Sequence, residues 1–365
     1  MKISEIVSCL ETLAPPSYQE SYDNAGLLTG QANLECRGAL IALDATEEII
    51  LEAVSKGCNL VVAHHPLIFK GLKKINGNNY VEKAVIAAIK HDIAVYAIHT
   101  NLDNVLDGVN GKMADLIGLT NRKPLVPRES GLKKLFTFVP ETGLEAVMNA
   151  VFQAGAGVIG NYSEASFAAE GTGSFKAGKG ANPFVGKIGE RHYEKEKKIE
   201  FIFPAYLQGK IVDALRKAHP YEEVAFDLVE LANPHPRIGS GLCGELPEPL
   251  EETAFLEKIK GIFQTSVIRH TKLRGVKVKK IALCGGAGSF LISNALSENV
   301  DIFISSDIRY HEFFDANGQL VLADIGHFES ERFTIDAIHE FLVEKFPTFA
   351  VLKTARITNP VQYFL

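Results

Sequence analysis

His64 and His65 follow the apolar run LVVA, Asp103 follows AVYAIH at a distance of four residues, and His327 with Glu331 follows the run VLADIG. Short, near-continuous apolar runs of this kind read as buried strands. More than 220 residues separate Asp103 from His327, yet all five side chains are imidazoles or carboxylates placed just past a strand. In sheets flanked by helices, ligands and reactive groups gather outside the carboxyl ends of the strands. The five positions therefore predict two α/β lobes that meet at their strand ends and build a two-metal site between them.

The intervening sequence fits that architecture. An opening amphipathic helix carries Ile3, Ile6, Val7, Leu10 and Leu13 at helical spacing, and Pro15 and Pro16 stop it. Residues 38–44, 59–63 and 93–99 read as strands, separated by helices over 47–57 and 80–92. The late series repeats the rhythm, with strands at 279–285, 300–305 and 319–326 and helices over 289–299 and 329–346. Such alternation indicates parallel sheets covered on both faces. IALD (41–44) and IALC (281–284) occupy the same place in each series, which duplication of one lobe and shared architecture explain equally well.

The middle differs. Strand 133–140, helix 142–155, a glycine-rich stretch, strand 197–206, helix 207–219 and strand 222–231 read as a ferredoxin-like split unit. The expected organisation is a discontinuous metal domain, 1–130 with 233–365, interrupted by an α+β insert over 131–232 that ends at the proline-punctuated NPHPR.

Composition narrows the class. A length of 365 residues predicts about two or three domains. The net charge of −6 supplies no basic field for nucleic acid, and Lys195, Lys197 and Lys198 are interleaved with Glu194, Glu196 and Glu200. Five cysteines, an odd number with no CxxC pair, fit reduced thiols and a cytoplasmic protein. No apolar run reaches the roughly 18 residues of a membrane span, and no signal-peptide pattern opens the chain.

Each ligand pair has an ordinary structural reading when taken alone. His64-His65-Pro66 reads as one core and one exposed histidine, Asp103 as a turn or cap residue, and His327 with Glu331 as an exposed helix start. The two late residues are four apart and share one helix face. Together the three imidazoles and two carboxylates form a mixed N/O set suited to two divalent ions, Zn²⁺, Fe²⁺ or Mn²⁺ rather than Ca²⁺. Paired ions of that kind support hydrolysis of a phosphate ester or related bond, and their residual positive charge attracts an anionic small molecule. His311, in SSDIRYHE, is a candidate catalytic acid or base, with support of a metal ligand as the alternative. Asp44 reads first as a cap for the helix starting at Glu47 and second as a neighbour of the metals. CGGAGS (284–289) reads as a tight turn in preference to an anion loop.

The motifs DNAGLLTG (23–30), HHP (64–66), HTNLD (99–103), SSDIRYHE (305–312) and GHFESER (326–332) resemble the GTP cyclohydrolase I type 2 homologue family, also called the Nif-three-like family. The resemblance covers about 1–125 and 237–365. It implies metal ligands at His64, His65, Asp103, His327 and Glu331, with Glu331 bridging. GTGSFKAGKGANPF and HPYEEVAFD in the insert resemble a CutA-like or PII-like domain. The family also implies a toroidal homohexamer, a trimer of dimers, with metal sites facing an internal cavity. Two functions follow as expectations: a metal-dependent hydrolase acting on a nucleotide or other phosphorylated small molecule, or a non-catalytic metal-binding scaffold whose insert senses a small molecule or metal.

Overall fold

The computed structural model describes residues 1–364. Along the chain the strands are β1 (Gly26–Thr29), β2 (Ala39–Ala42), β3 (Leu60–Ala63), β4 (Ala94–Ala97), β5 (Thr120–Pro127), β6 (Leu132–Pro140), β7 (Ser166–Lys176), β8 (Arg191–Pro204), β9 (Phe226–Glu230), β10 (Gly239–Glu251), β11 (Arg269–His270), β12 (Lys277–Ala287), β13 (Ile302–Ser306), β14 (Val321–Asp324) and β15 (Val351–Lys353). The α-helices are α1 (Ile3–Leu13), α2 (Glu47–Ser55), α3 (Tyr80–Lys90), α4 (Thr100–Asp103), α5 (Val109–Ile117), α6 (Leu144–Gln153), α7 (Gln208–Ala218), α8 (Glu252–Phe263), α9 (Ile292–Ser297), α10 (His327–Glu331) and α11 (Thr334–Lys345). They form two compact units, Met1–Pro127 with Pro236–Leu365, and Arg128–His235.

The first unit holds two sheets. One has the order β1-β4-β3-β2-β15, with β4, β3, β2 and β15 parallel. Its strands are apolar on both faces because both faces are covered. Ile41, Val62 and Tyr96 pack with Ile3, Ile6 and Leu10 of α1 and Ile338 and Leu342 of α11. Leu40, Val61 and Val95 point the other way, against Ile49, Ile50 and Ala53 of α2 and Ala84, Val85 and Ala88 of α3. Successive strand residues alternate between faces, so the continuous hydrophobicity of LVVA reflects a two-sided core. Each fully buried aliphatic side chain there contributes about 1.5–3 kcal/mol.

The second sheet has the order β11-β14-β13-β12-β10-β5, with β12, β13 and β14 parallel. Helices α5 and α8 supply Met113, Ile117, Phe255, Ile259 and Phe263 to one face, and α9 covers the other through Ile292 and Ala295. Thus β2, β3 and β4 in one lobe have counterparts in β12, β13 and β14 in the other. Asn110 ties the lobes together: its carbonyl oxygen accepts from Gly285 N–H (2.9 Å) and its amide donates to Asp103 O (2.9 Å).

The unit Arg128–His235 is a four-stranded antiparallel sheet in the order β7-β8-β6-β9. Helices α6 and α7 bury Val147, Val151, Ile211 and Leu215 against Leu135, Ile199, Phe201 and Phe203. The glycine-rich stretch does not stay irregular: its first part is β7, paired along its length with β8.

Two further expectations change. The helix expected over 329–346 is broken into α10 and α11, which separates His327 and Glu331 onto a helix of their own. The strand expected at 222–231 shortens to β9. No helix of the described residues is long and apolar enough to cross a membrane. All five cysteines are free.

Candidate metal centre

The parallel strands of both lobes aim their carboxyl ends at one place. His64 and His65 follow β3, His99 and Asp103 follow β4, and His327 and Glu331 follow β14. Asp44 follows β2 and Asp307 follows β13. The five expected ligands fall into two overlapping groups, His64–Asp103–Glu331 and His65–His327–Glu331, each with its ligand atoms within 4.8 Å of one another.

Glu331 stands between the groups. Its Oε1 is 3.7 Å from His64 Nε2, which is also 3.7 Å from Asp103 Oδ1. Its Oε2 is 3.0 Å from His65 Nε2 and 3.1 Å from His327 Nε2, and the two histidine nitrogens are 3.3 Å apart. Ligand atoms that each lie about 2.0–2.1 Å from one ion, at tetrahedral to octahedral angles, are roughly 2.9–3.4 Å from each other. The second group fits that spacing, and in the first the two distances from His64 exceed it by a few tenths of an ångström.

The tautomers point the same way. His64 Nδ1 meets the carbonyl of Ile98 at 2.8 Å, and a carbonyl only accepts, so Nδ1 carries the proton and Nε2 presents a lone pair. His65 Nδ1 is 2.8 Å from Asp44 Oδ1, and His327 Nδ1 is 2.7 Å from Asp307 Oδ2. Orienting carboxylates and carbonyls behind imidazoles are the usual support of metal-binding histidines. The result is a nest of acceptors facing acceptors: His64 Nε2, Asp103 Oδ1 and Glu331 Oε2 are all buried without a hydrogen-bond partner. Buried polar atoms are costly when unpaired, so the cluster calls for positive charge.

Without a metal ion, protons supply it. Burial opposes a charged His65, yet the Asp44 carboxylate on its Nδ1 and the neighbouring Glu331 carboxylate outweigh it and push the pKa up to about 10. His327 is likewise opposed by burial and raised by Asp307 and Glu331 to about 11. Burial would raise Glu331, but the three histidines around it hold it well below the ordinary carboxylate range. Asp103 is pushed well above that range by burial and by the Glu331 charge. Burial keeps His64 neutral by lowering its pKa.

The backbone makes room for this packing. A side chain on Gly286, which sits at φ +63°, would place its Cβ 2.3 Å from Glu331 Oε1. Ser305 and Ser306 hydroxyls donate to Gly286 O, and Gly286 N–H donates to Ser330 Oγ. CGGAGS is thus neither an anion loop nor merely a turn: β12 runs through it to Ala287, and its glycines back the shared carboxylate. Asp44 is not the helix cap first expected, since Thr46 occupies the cap position and Asp44 receives His65 instead. Asp307, in the same SSDIRYHE segment as His311, is the residue that supports His327.

His311 does not join the cluster. It is exposed on a 3₁₀ helix (Tyr310–Ala316), its ring against Tyr310 and Phe314, because that helix turns it away after the Asp307 bend. The residue that sequence reasoning missed is His99. It groups with His64 and His65, and its Nδ1 is 2.7 Å from Asp23 Oδ1. Asp23 also accepts from Thr100 N–H at 3.0 Å; burial opposes its charge, but His99 and Thr100 win and lower its pKa to about 2. The available signal was position, since His99 directly follows a parallel strand in the same HTNLD segment as Asp103.

A family model described as Duf34/NIF3 (NGG1p interacting factor 3) matches residues 1–360. A protein of Halalkalibacterium halodurans named GTP cyclohydrolase 1 type 2 homolog is 39% identical over 90% of this chain and 89% of its own. One of the same name from Staphylococcus aureus is 34% identical over the whole of both chains. The crystal structure of a Bacillus cereus protein related to NIF3 superposes with a TM-score of 0.89 at 36% identity, covering 100% of this chain and 99% of that one.

Proposed function

The chain belongs to the Duf34/NIF3 (NGG1p interacting factor 3) family, and on that premise we propose that it holds two divalent metal ions and acts as a metal-dependent hydrolase on a nucleotide or other phosphorylated small molecule. The observation that carries this reading is the convergence of buried, partnerless acceptor atoms on His64, Asp103 and Glu331. One ion would be held by His64, Asp103 and Glu331 Oε1, the other by His65, His327 and Glu331 Oε2. The N/O donor set suits Zn²⁺, Fe²⁺ or Mn²⁺. Divalent ions in such a pair lower the pKa of bound water and polarise a phosphoryl oxygen. The protein's own part is to fix ligand direction through Asp44, Asp307 and Ile98 O, and to keep the Glu331 side of the cluster dry. Asp103 and Glu331 offset only part of the charge of two divalent ions, which favours an anionic oxygen at the site.

The test is turnover by chelated protein reloaded with Zn²⁺, Mn²⁺ or Fe²⁺ on a panel of phosphoesters. Metal-dependent hydrolysis that disappears in Asp103→Ala supports the reading; a panel silent with every metal refutes it.

A second reading, a metal-binding scaffold with a sensing insert, draws on the unit Arg128–His235. Its βαββαβ order is that of ferredoxin-like domains and supports the CutA- or PII-like likeness. A cavity of about 740 Å³ there is bordered by Phe138, Phe175, Phe184 and Tyr221. This reading expects reversible metal exchange without turnover and a ligand response lost when 131–232 is deleted. The toroidal homohexamer belongs to both readings and is checked by light scattering of the purified protein.

A further inference from the structure

A cleft of about 440 Å³ adjoins the His65–His327 side of the cluster. Its far wall is the segment that follows β15, which runs back across both lobes. Thr354 and Ala355 bond to Glu52 of α2, Thr358 donates to Asp44, and Asn359 donates to Glu329 Oε1 at 3.3 Å. Pro360, Val361 and Tyr363 then face the histidine side of the cleft.

The charged groups around this cleft are already engaged. Asp44 is held by His65 and Thr358, and Asp307 by His327. Arg269 pairs with Asp324 and donates to Ile308 O. Glu329 is buried and tied to Asn359. What remains is apolar surface on Leu43, Phe328, Pro360 and Val361, with Val361 53% exposed. The lining carries four carboxylates, Asp44, Asp307, Asp324 and Glu329, against one guanidinium, Arg269, which is itself paired with Asp324, and that balance of charge disfavours a polyanion.

We propose that this cleft is the substrate pocket for the uncharged, apolar part of a small ester whose reacting group lies at the metal cluster. The class of substrate is therefore a compact monoester with a flat or aliphatic substituent, and a polyphosphate chain is disfavoured. The volume lies at the small end of ligand pockets, matching a single ring system and little more. The proposal rests on the two-metal reading of the cluster.

The experiment measures binding to metal-loaded full-length protein by calorimetry, using inorganic phosphate, phenyl phosphate and triphosphate as probes. Burial of a phenyl ring in the cleft should make phenyl phosphate bind about 10- to 100-fold more tightly than phosphate, with triphosphate no tighter than phosphate. Val361→Asp, at an exposed position, should remove most of that advantage, read as the ratio of the two affinities because the added carboxylate weakens both anions alike. Val361→Leu should retain it, which separates a lost contact from a disturbed fold. Phenyl phosphate binding no tighter than phosphate, or a Val361→Asp variant that keeps the advantage, overturns the pocket. Failure of phosphate itself to bind the metal-loaded protein overturns the two-metal reading instead.

Discussion

Replacing Glu331 by Gln changes little in shape and removes one negative charge from between the two ligand groups. Its two oxygens face opposite sides, Oε1 toward His64 at 3.7 Å and Oε2 toward His65 and His327 at 3.0 and 3.1 Å. Two divalent ions about 3.5–4 Å apart repel by roughly 17–19 kcal/mol at an effective dielectric of about 20. A carboxylate sharing its charge between them, with each oxygen about 2.1 Å from an ion, returns roughly 16 kcal/mol at the same dielectric. A neutral amide leaves the repulsion uncovered. Even if a tenth of that loss survives solvent screening, the second ion weakens by more than about tenfold. Wild-type protein, loaded and dialysed, is expected to hold two ions per chain by elemental analysis, and Glu331→Gln at most one. Thermal melts of the chelated proteins check that both fold. A Glu331→Gln variant that retains two ions at wild-type affinity would refute the shared-carboxylate geometry.

Other outcomes follow from the same site. Asp44→Asn and Asp307→Asn should each weaken metal binding by roughly 10- to 100-fold, because each orients one histidine; competition with a fluorescent chelator measures it. Gly286→Ala should cost at least about 1 kcal/mol by denaturant melt and impair metal loading, since its φ is +63° and its Cβ would meet Glu331 Oε1. In chelated protein, His65 and His327 have pKa values of about 10 and about 11, above an unfolded value near 6.5. A raised pKa stabilises below the unfolded value, and that stability drains away as pH climbs through the folded one. The melting temperature of chelated protein should therefore fall between about pH 7 and pH 11, and the fall should shrink in a His65→Gln/His327→Gln variant.

Much of the unit that carries the candidate metal centre was legible because parallel strands buried on both faces announce themselves as continuous apolar runs, and functional groups follow their carboxyl ends. LVVA before His64 and VLAD before His327 belong to that pattern. The edge strand β5 and its neighbour β10 escaped because they are mixed in character, exposed in part and interrupted by glycine or proline. The break between α10 and α11 escaped because no glycine or proline stands between His327 and Phe346 to mark it. His311 read as a candidate acid or base along the chain, and only the folded chain shows it exposed against Tyr310 and Phe314, outside the cluster.

Local sequence, then, determined which residue types stand at which strand ends, since periodicity and side-chain chemistry are properties of short segments. It could not determine which of those ends meet, or at what distance. That depended on two sheets packing so that Gly286 lies against Glu331, Asn110 links the lobes, and Asp44 and Asp307 arrive behind His65 and His327. These contacts join residues up to hundreds of positions apart, and the lone pairs they leave facing one another exist only once the chain is folded.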